Sequence, residues 1–226
     1  MQKQSYFTKG EKCLWLCSVL FITLSFIIFD RENYLTFFTS LIGITALIFC
    51  AKGNPVGQVL IIIFGSIYGY ISYFSAYYGE MITYLGMSVP MAIWALVAWL
   101  KNPYNGNKAE VEVNTLPKKE IPFLTVLTII VTVAFYFILR ALGTANIWVS
   151  SFSVTTSFAA VYLTARRSPY FALAYATNDI VLIALWSYAA LSDISNLSLV
   201  ICFIAFLAND MYSFYNWKRM QKRQKQ

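Results

Sequence analysis

The chain has 226 residues, of which 59% are hydrophobic and only 12% are charged, and its formal net charge is +7. This apolar fraction exceeds what one water-soluble core could bury beneath a polar exterior, so we predict an all-α integral membrane protein. The chain contains no histidine, which removes the usual general base and the commonest metal ligand. We therefore expect no catalytic residue, no metal site and no cofactor.

Eight apolar runs, each about as long as a bilayer is thick, follow one another along the chain. They lie approximately at residues 12–29, 34–51, 56–78, 81–100, 121–141, 146–165, 169–190 and 196–216. Short polar turns separate them, and Glu80 falls in one such turn, where we expect it to be solvated. Away from the span ends, Asp179 and Asp210 are the only charged residues inside a predicted span, which marks them as candidate functional residues.

The basic residues predict the orientation, because Lys and Arg are retained on the cytoplasmic side of a membrane. With both termini inside, all 17 Lys and Arg residues except Arg31 and Arg140 fall in cytoplasmic segments. The basic tail at 218–226 is then a cytoplasmic segment beside anionic lipid, so the positive charge does not call for nucleic acid as a partner.

An internal repeat organises the chain. The segment CAKGNPVGQ (50–58), before the third span, matches TARRSPYFA (164–172), before the seventh. In both, Asn or Ser precedes a proline, which is a typical helix start. We therefore predict two three-helix repeats, at 34–100 and 146–217. An additional helix at 1–33 precedes them, and a cytoplasmic linker with a linker helix at 101–145 joins them. The odd linker helix makes the two repeats parallel.

Several segments carry a family resemblance: GSIYGYISYFSAYYGEM (65–81), MSVPMAIWALVAWLKN (87–102), TARRSPYFALAYATNDIVLIALW (164–186) and YNWK (215–218). Over roughly residues 35 to 220 the chain resembles the PnuC family of bacterial vitamin and nucleoside transporters. The resemblance implies a 1+(3+1+3) arrangement of eight transmembrane helices, with triple-helix repeats similar to those of the SWEET sugar transporters.

The same resemblance implies a function. Family members import nicotinamide riboside by facilitated diffusion across the bacterial inner membrane, and a cytoplasmic kinase traps the substrate by phosphorylation. Relatives carry thiamine, riboflavin or deoxynucleosides, so a different vitamin or nucleoside is the alternative substrate. The resemblance leaves open whether the protein is a monomer or a homotrimer.

Two Asn-Asp pairs are the main candidates for substrate binding. Asn178 and Asp179 lie nine and ten residues after Pro169, which is roughly 14–15 Å along a helix and near the membrane midplane. Asn209 and Asp210 return to a similar depth on the next helix. These side chains would hydrogen-bond ribose hydroxyls and base amides, or they would pin the two helices together without contacting a ligand.

Aromatic residues precede the first pair. Phe171 and Tyr175 are four residues apart and share a helix face, and Asn178 follows one turn later. The resemblance implies a ring-stacking site here, with tryptophans in the members that carry nicotinamide riboside. The chain has phenylalanine and tyrosine instead, a departure that bears on which ring is recognised.

The first repeat contributes three further candidates. Gln58 lies one turn inside the third span, and Tyr68 could hydrogen-bond a sugar, so both are predicted to bind substrate. Pro90 lies within the fourth span, where a proline removes an intrahelical hydrogen bond. We predict it to be a hinge that lets one repeat rock against the other.

Two other classes of protein remain as alternatives. A substrate-capture subunit of an energised importer would also be small, helical and free of ATP-binding motifs, but it would not support uptake alone. A membrane-embedded enzyme could use paired aspartates as acid and base. The sequence shows neither a phosphate-binding glycine loop nor a hydrolase nucleophile motif, so we expect a transporter and not an enzyme.

Overall fold

The computed structural model describes residues 6–74, 77–144 and 146–226. In these ranges, eight helices are long and apolar enough to cross a membrane, as predicted. They are α1 (Lys9–Phe29), α2 (Tyr34–Ala51), α3 (Val56–Phe74), α4 (Tyr78–Leu100), α5 (Glu120–Ala141), α6 (Ile147–Ala165), α7 (Phe171–Ala190) and α8 (Leu197–Gln224). A short 3-10 turn, Ile194–Asn196, precedes α8.

The helices pack in an order that brings the two predicted repeats together. Within the first, α2 packs on α3 and α3 on α4; within the second, α6 packs on α7 and α7 on α8. The halves meet where α2 contacts α8 and where α4 contacts α6. The additional helix α1 lies against α2 and α8, and α5 packs mainly on α6. A central space lined by both halves follows from this arrangement.

Helix α4 is not one regular helix. It begins as an α-helix over Tyr78–Ile82, continues as a π-helix over Thr83–Ser88 and becomes α-helical again over Val89–Leu100. Pro90 therefore lies at the start of the second α-helical segment rather than in an uninterrupted helix. π-helical turns widen the backbone spiral and are frequent at functional sites, so this segment is a candidate part of the site.

Two tryptophans join the halves reciprocally. The Trp99 indole N–H, at the end of α4, donates to the carbonyl of Thr164 at 2.9 Å. The Trp217 indole N–H, in α8, donates to the carbonyl of Cys50 at 2.8 Å. Cys50 and Thr164 are matching positions of the repeat, and the two indole rings lie 5.4 Å apart. Each half thus donates one indole hydrogen bond to the equivalent carbonyl of the other half.

One end of the bundle carries the turns that follow α2 and α6, the linker and the end of α8; we call it the basic face. Equivalent residues of the two turns, Gly53 and Arg167, both have left-handed backbone conformations, with φ of 65° and 58°. The linker crosses between them: the Val111 N–H donates to the Gly53 carbonyl and the Asn114 N–H donates to the Arg167 carbonyl, both at 2.9 Å.

Two features near the basic face are not apparent from the sequence. The linker is not entirely loop, because Pro103–Tyr104 pairs with Asn107–Val111 as an antiparallel hairpin. The tail is helical, because α8 continues to Gln224 and the amide of Gln224 donates to Glu110 at 2.8 Å. The hairpin and the helical tail stabilise each other through such contacts, which cannot be read from their polar sequences.

Glu80 is also placed differently from the prediction. We expected it to be solvated in a turn, but α4 begins at Tyr78 and Glu80 lies in its first turn, only 3% exposed. The fourth span begins at Tyr78, three residues earlier than predicted, so Glu80 lies within a helix and not in the turn before it. A carboxyl group is thereby brought inside the protein.

Candidate functional site

The central space between the halves is a cavity of about 60 Å³. Residues from α2, α3, α4, α6, α7 and α8 line it: Leu47, Cys50, Gln58, Ile61, Phe64, Gly65, Tyr84, Ser88, Val89, Ser157, Phe171, Tyr175, Asn178, Asp179, Leu182, Phe203, Phe206 and Asp210. Ligand pockets usually measure about 300–1,000 Å³. The structure is therefore closed around the site, and its walls must move apart to admit a nucleoside-sized molecule.

Two carboxyl groups meet at this cavity. Asp179 of α7 is 4% exposed, Asp210 of α8 is 2% exposed, and the two are close enough for each to feel the charge of the other. The two side chains hydrogen-bond to each other, which requires a proton between them; outside this pair, Asp179 Oδ2 and Asp210 Oδ1 have no hydrogen-bond partner. Among the described residues no lysine or arginine forms an ion pair with either of them. The cavity therefore contains acidic groups without a protein counter-ion.

Asn178 also lines the cavity, but its carbonyl oxygen is already engaged. Oδ1 accepts hydrogen bonds from Ser153 at 3.2 Å, Thr156 at 2.8 Å and Ser157 at 3.0 Å. These hydroxyls belong to α6, so Asn178 fastens α7 to α6 at the level of the site. Three bonds to one side chain fix its orientation, and they also fix the orientation of the neighbouring Asp179.

Aromatic rings form much of the remaining wall. Phe171 and Tyr175 lie on the same face of α7, with ring centroids 6.2 Å apart and planes at 81°. Phe171 packs edge-on against Trp217 at 4.9 Å. Across the cavity, Phe64 of α3 contacts Phe206 of α8 at 5.6 Å. Rings from both halves thus surround the acidic pair, an arrangement suited to holding a flat ring.

Gln58 reaches the cavity from α3, as its position one turn inside that helix requires. Its amide donates to the Cys50 sulfur at 3.4 Å, and its side chain is 3% exposed. Gly57 makes this contact possible, because a Cβ at this position would lie 2.6 Å from the same sulfur. The close approach of α3 to α2 thus positions a polar group at the site.

Two of the predicted binding residues lie elsewhere. The Asn209 amide donates to Ser18 Oγ at 2.9 Å and to the Ala205 carbonyl at 2.8 Å, which ties α8 to α1. Tyr68 is 2% exposed and does not reach the cavity. Its ring lies 4.5 Å from that of Tyr84, which does line the cavity. Asn209 therefore joins two helices and does not line the cavity.

The site includes residues that the sequence analysis did not select. Tyr84, Ser88 and Val89 come from the irregular part of α4, and Ser157 comes from α6. The π-helical stretch turns Tyr84 and Ser88 towards the cavity, and no hydrophobic periodicity signals such a stretch. Pro90 itself is exposed and lies just beyond this wall.

The cavity has no metal-binding cluster. Within the residues described, no group of three or more His, Cys, Asp or Glu side chains could hold a metal ion. The donor set of the cavity is instead two carboxyl groups, two amides, hydroxyls and aromatic faces. Such a set hydrogen-bonds an organic ligand and stacks on its ring.

Comparison with known proteins gives consistent matches. A family model described as "Nicotinamide mononucleotide transporter" matches residues 33–219. A protein of Neisseria mucosa named nicotinamide riboside transporter PnuC is 27% identical over 217 residues, which cover 94% of this chain and 82% of that protein. A protein of the same name from Haemophilus influenzae is 24% identical over 216 residues, which cover 95% and 92%.

A solved structure has the same fold. A crystal structure described as that of the vitamin B3 transporter PnuC superposes with a TM-score of 0.84, covering 96% of this chain and 94% of that one. The sequences are 24% identical. The arrangement of eight membrane-spanning helices is therefore shared.

Proposed function

The chain belongs to the nicotinamide mononucleotide transporter family and is a membrane transporter, and from this premise we propose that it imports nicotinamide riboside by facilitated diffusion. The observation that carries the proposal is the central cavity, where acidic and amide groups meet aromatic rings between the two halves. A nucleoside has a flat ring and a polyhydroxylated sugar, which require these two kinds of surface together.

The residues of the cavity have separate roles in this proposal. Phe171 and Tyr175 stack on the ring, while Asp179, Asp210 and Gln58 accept from or donate to the ribose and the carboxamide. Asn178 holds α7 in position through its bonds to α6. We place the site inside the bilayer, at the junction of the halves, because polar groups at that depth must face the protein interior.

Transport requires that the closed cavity open to each side in turn. At the basic face the reciprocal bonds of Trp99 and Trp217 and the linker segment between Gly53 and Arg167 close the bundle. Opening there must break or shift these bonds. We infer that this face is cytoplasmic, with both termini inside, because it gathers the basic residues of the chain.

The energy for net uptake comes from the substrate gradient in this proposal. No ATP-binding motif is present in the sequence, and the substrate would be trapped by a cytoplasmic kinase. We infer residence in the bacterial inner membrane, and we place no catalytic step in the protein itself. Assembly into a homotrimer remains a prediction, which mass measurement in detergent would test.

A second candidate is a different vitamin or nucleoside of the same size. The observation favouring it is Phe171 and Tyr175, since the resemblance implies tryptophans in nicotinamide riboside members. Smaller rings at the wall reshape the stacking surface without removing it. Thiamine, riboflavin and deoxynucleosides are the ligands to compare.

Calorimetric binding to the purified protein tests the proposal. We expect micromolar affinity for nicotinamide riboside and no binding of riboflavin or deoxynucleosides. The Tyr175→Leu variant, which removes the stacking ring, should weaken binding, while Tyr170→Leu, on an exposed neighbour outside the cavity, should not. Binding of another ligand of the panel in place of nicotinamide riboside would overturn the proposed substrate.

Reconstitution separates the other classes of protein. The protein alone in liposomes should equilibrate substrate across the bilayer without ATP, whereas a substrate-capture subunit would bind but not transport. Chemically unchanged substrate recovered from the liposome lumen would exclude an enzyme acting on it, and a converted product would support one.

A further inference from the structure

The turns that follow α2 and α6 each carry a basic residue at the same position of the repeat. Lys52 follows Cys50 by two residues, and Arg166 follows Thr164 by two. The carbonyls of Cys50 and Thr164 accept the indole bonds of the opposite halves, and the linker segment bonds to the same two turns. Lys52 and Arg166 therefore belong to the segments that close the basic face.

Lys52 is paired with an acid in the first turn of α1. Its ammonium nitrogen lies 3.1 Å from Glu11 Oε1, and Glu11 is only 2% exposed. The Tyr212 hydroxyl of α8 donates to the same oxygen at 2.8 Å, and the Thr8 N–H donates to Glu11 Oε2 at 2.7 Å. One buried carboxylate thus joins α1, the turn after α2 and α8, which is a contact between the two halves.

Arg166 makes the matching pair with an acid in the first turn of α5. Its Nη2 atom donates to Glu120 Oε2 at 2.8 Å, and its Nε atom lies 2.6 Å from Glu120 Oε1. The Tyr162 hydroxyl donates to Glu120 Oε1 at 2.7 Å. The two helices outside the repeats, α1 and α5, therefore begin with the same kind of contact to the same position of each repeat.

This match is more than a preference of helix ends. An acid in the first turn stabilises a helix through the helix dipole, but that effect requires no particular basic partner. Glu11 and Glu120 instead reach basic residues 41 and 46 positions away in the chain, at equivalent sites of the two repeats. Hydrogen bonds between charged groups are about twice as strong as those between neutral groups. Both turns are therefore held by a strong contact in addition to the tryptophan bonds.

The surroundings of Lys52 leave room for this contact to open. A cavity of about 640 Å³ lies beside the pair, between the start of α1, the linker hairpin and the end of α8. The Lys52 side chain is 19% exposed, so water can solvate its ammonium group when it leaves Glu11. Glu11 then keeps the bonds from Thr8 and Tyr212. The pair can thus separate without disturbing the apolar core.

We propose that Glu11 and Glu120 are matching positioning residues for transport. They hold the turns after α2 and α6 in the closed arrangement, and the basic face opens when Lys52 and Arg166 leave them. This gives α1 a role equivalent to that of the linker helix α5. The inference goes beyond the proposed function, because it concerns how the closed state is held and is independent of which molecule is carried.

Cys50 is a natural reporter of this opening. Its thiol lines the central cavity from the last turn of α2 and the residue is 4% exposed, so a water-soluble reagent reaches it only when the bundle opens. The experiment measures the rate at which iodoacetamide alkylates Cys50 in the purified full-length protein. Mass spectrometry of the peptides separates Cys50 from Cys13 and Cys17, which are exposed.

Glu11→Gln and Glu120→Gln should each raise the rate of Cys50 alkylation about tenfold, because each replaces a charged hydrogen bond with a neutral one. The double variant should raise it about a hundredfold, since distant sites that hold the same closed state contribute additively in free energy. Lys52→Arg keeps the charge and should keep the slow rate. Glu32→Gln, at an exposed acid in the turn between α1 and α2 at the opposite end, is the matched control and should change nothing.

A merely structural role gives a different result. It would lower the unfolding temperature of the glutamine variants and leave alkylation of Cys50 in the folded protein unchanged, and this result would overturn the proposal. If Glu11→Gln does not fold, Tyr212→Phe tests the same contact, because it removes only the hydroxyl that donates to Glu11. We expect it to raise the rate about threefold, and an unchanged rate would count against the proposal in the same way.

The outcomes are separate from those of the proposed function. The alkylation rate is measured without substrate, so it can confirm the role of Glu11 and Glu120 even if the protein binds thiamine and not nicotinamide riboside. Micromolar binding of nicotinamide riboside together with unchanged alkylation in both glutamine variants would leave the proposed substrate standing and overturn this inference.

Discussion

Adjacent residues of α8 have different surroundings. Asn209 bonds to Ser18 and to the Ala205 carbonyl, whereas Asp210 lines the cavity and faces Asp179. One step along a helix rotates a side chain by about 100°, which explains how neighbours serve packing and binding respectively. Asn209 and Asp210 look like one motif in the sequence, but in the structure Asn209 joins two helices and Asp210 lines the cavity.

This difference predicts opposite results for two variants. Asp210→Asn should weaken binding of nicotinamide riboside by about tenfold with little loss of stability, because it replaces a carboxyl oxygen that hydrogen-bonds the substrate in the proposed function. Asn209→Ala should cost about 1–3 kcal/mol of stability and leave affinity nearly unchanged. Calorimetry and thermal unfolding in detergent distinguish them, and a binding defect in the Asn209 variant would contradict the assignment.

Glycine at position 57 lets α3 approach α2 closely. A Cβ there would lie 2.7 Å from the Cys50 backbone nitrogen, which cannot move aside as a flexible side chain could. We therefore expect Gly57→Ala to destabilise the protein by about 1–3 kcal/mol.

Gly10 provides the control for this substitution. Nothing lies within 4 Å of a Cβ built at Gly10 in α1, so Gly10→Ala should be neutral or stabilise by up to about 1 kcal/mol. Thermal unfolding measured side by side tests the pair. Equal stability of the two variants would show that the close approach of α2 and α3 is unimportant.

At the residue scale, sequence reasoning singles out a polar residue that stands in an apolar span. Asp179 and Asp210 are conspicuous for that reason, and the structure places both at the cavity. Glu80 could not be located in the same way, because its position depended on where α4 begins, and helix ends are only approximate from sequence. A shift of a few residues moved it from a predicted turn into the protein.

At the scale of the helix, α4 is the irregular element. Its π-helical stretch, Thr83–Ser88, ends two residues before Pro90 and contributes Tyr84 and Ser88 to the cavity. A proline lacks the N–H that would donate to the preceding turn, so the helix here is held by fewer hydrogen bonds. The geometry supports the proposal that Pro90 marks a hinge.

The hinge proposal predicts a kinetic effect. Pro90→Ala restores the missing donor, so α4 should stiffen and transport should slow, with the dissociation constant of the substrate unchanged. Val97→Ala, on an exposed part of the same helix, should leave the rate unchanged. Rates of uptake into liposomes test this proposal, and an unaltered rate in the Pro90 variant would show that Pro90 is not a hinge.

The number of membrane-spanning helices was predictable from the sequence, but the hairpin in the linker and the helical tail were not. Eight apolar runs of bilayer length gave eight helices, because lipid requires every backbone group to be bonded within its own helix. The hairpin at Pro103–Val111 and the helical tail were missed. Both depend on mutual contacts such as Gln224 with Glu110 and Val113, which join residues more than 100 positions apart.

At the scale of the whole molecule, the two halves are joined by matching contacts. Trp99 donates to Thr164 and Trp217 donates to Cys50, and the acceptors occupy equivalent positions of the repeated segments. We infer from this reciprocity a pseudo-two-fold axis along the membrane normal, as expected for parallel repeats. The basic face is then closed by a symmetric pair of bonds.

Symmetry predicts similar consequences for the two tryptophans. Trp99→Phe and Trp217→Phe should each cost about 1–3 kcal/mol. Each variant loses an indole hydrogen bond to a buried carbonyl, which keeps only the backbone N–H of Arg167 or Gly53 as a donor, and leaves a gap where the indole packed. Trp94→Phe, at an exposed position of α4, is the control and should be neutral. Thermal unfolding compares all three, and a large cost at only one of the two positions would contradict the symmetric closure.

Counterflow in liposomes tests the central claim most directly: that the chain alone carries nicotinamide riboside down its gradient through the cavity between the halves. Liposomes loaded with unlabelled nicotinamide riboside should transiently accumulate labelled substrate from outside, without ATP, and the Asp210→Asn variant should lose this accumulation. Failure of the purified wild-type protein to exchange nicotinamide riboside, under conditions where it binds a ligand, would contradict the account.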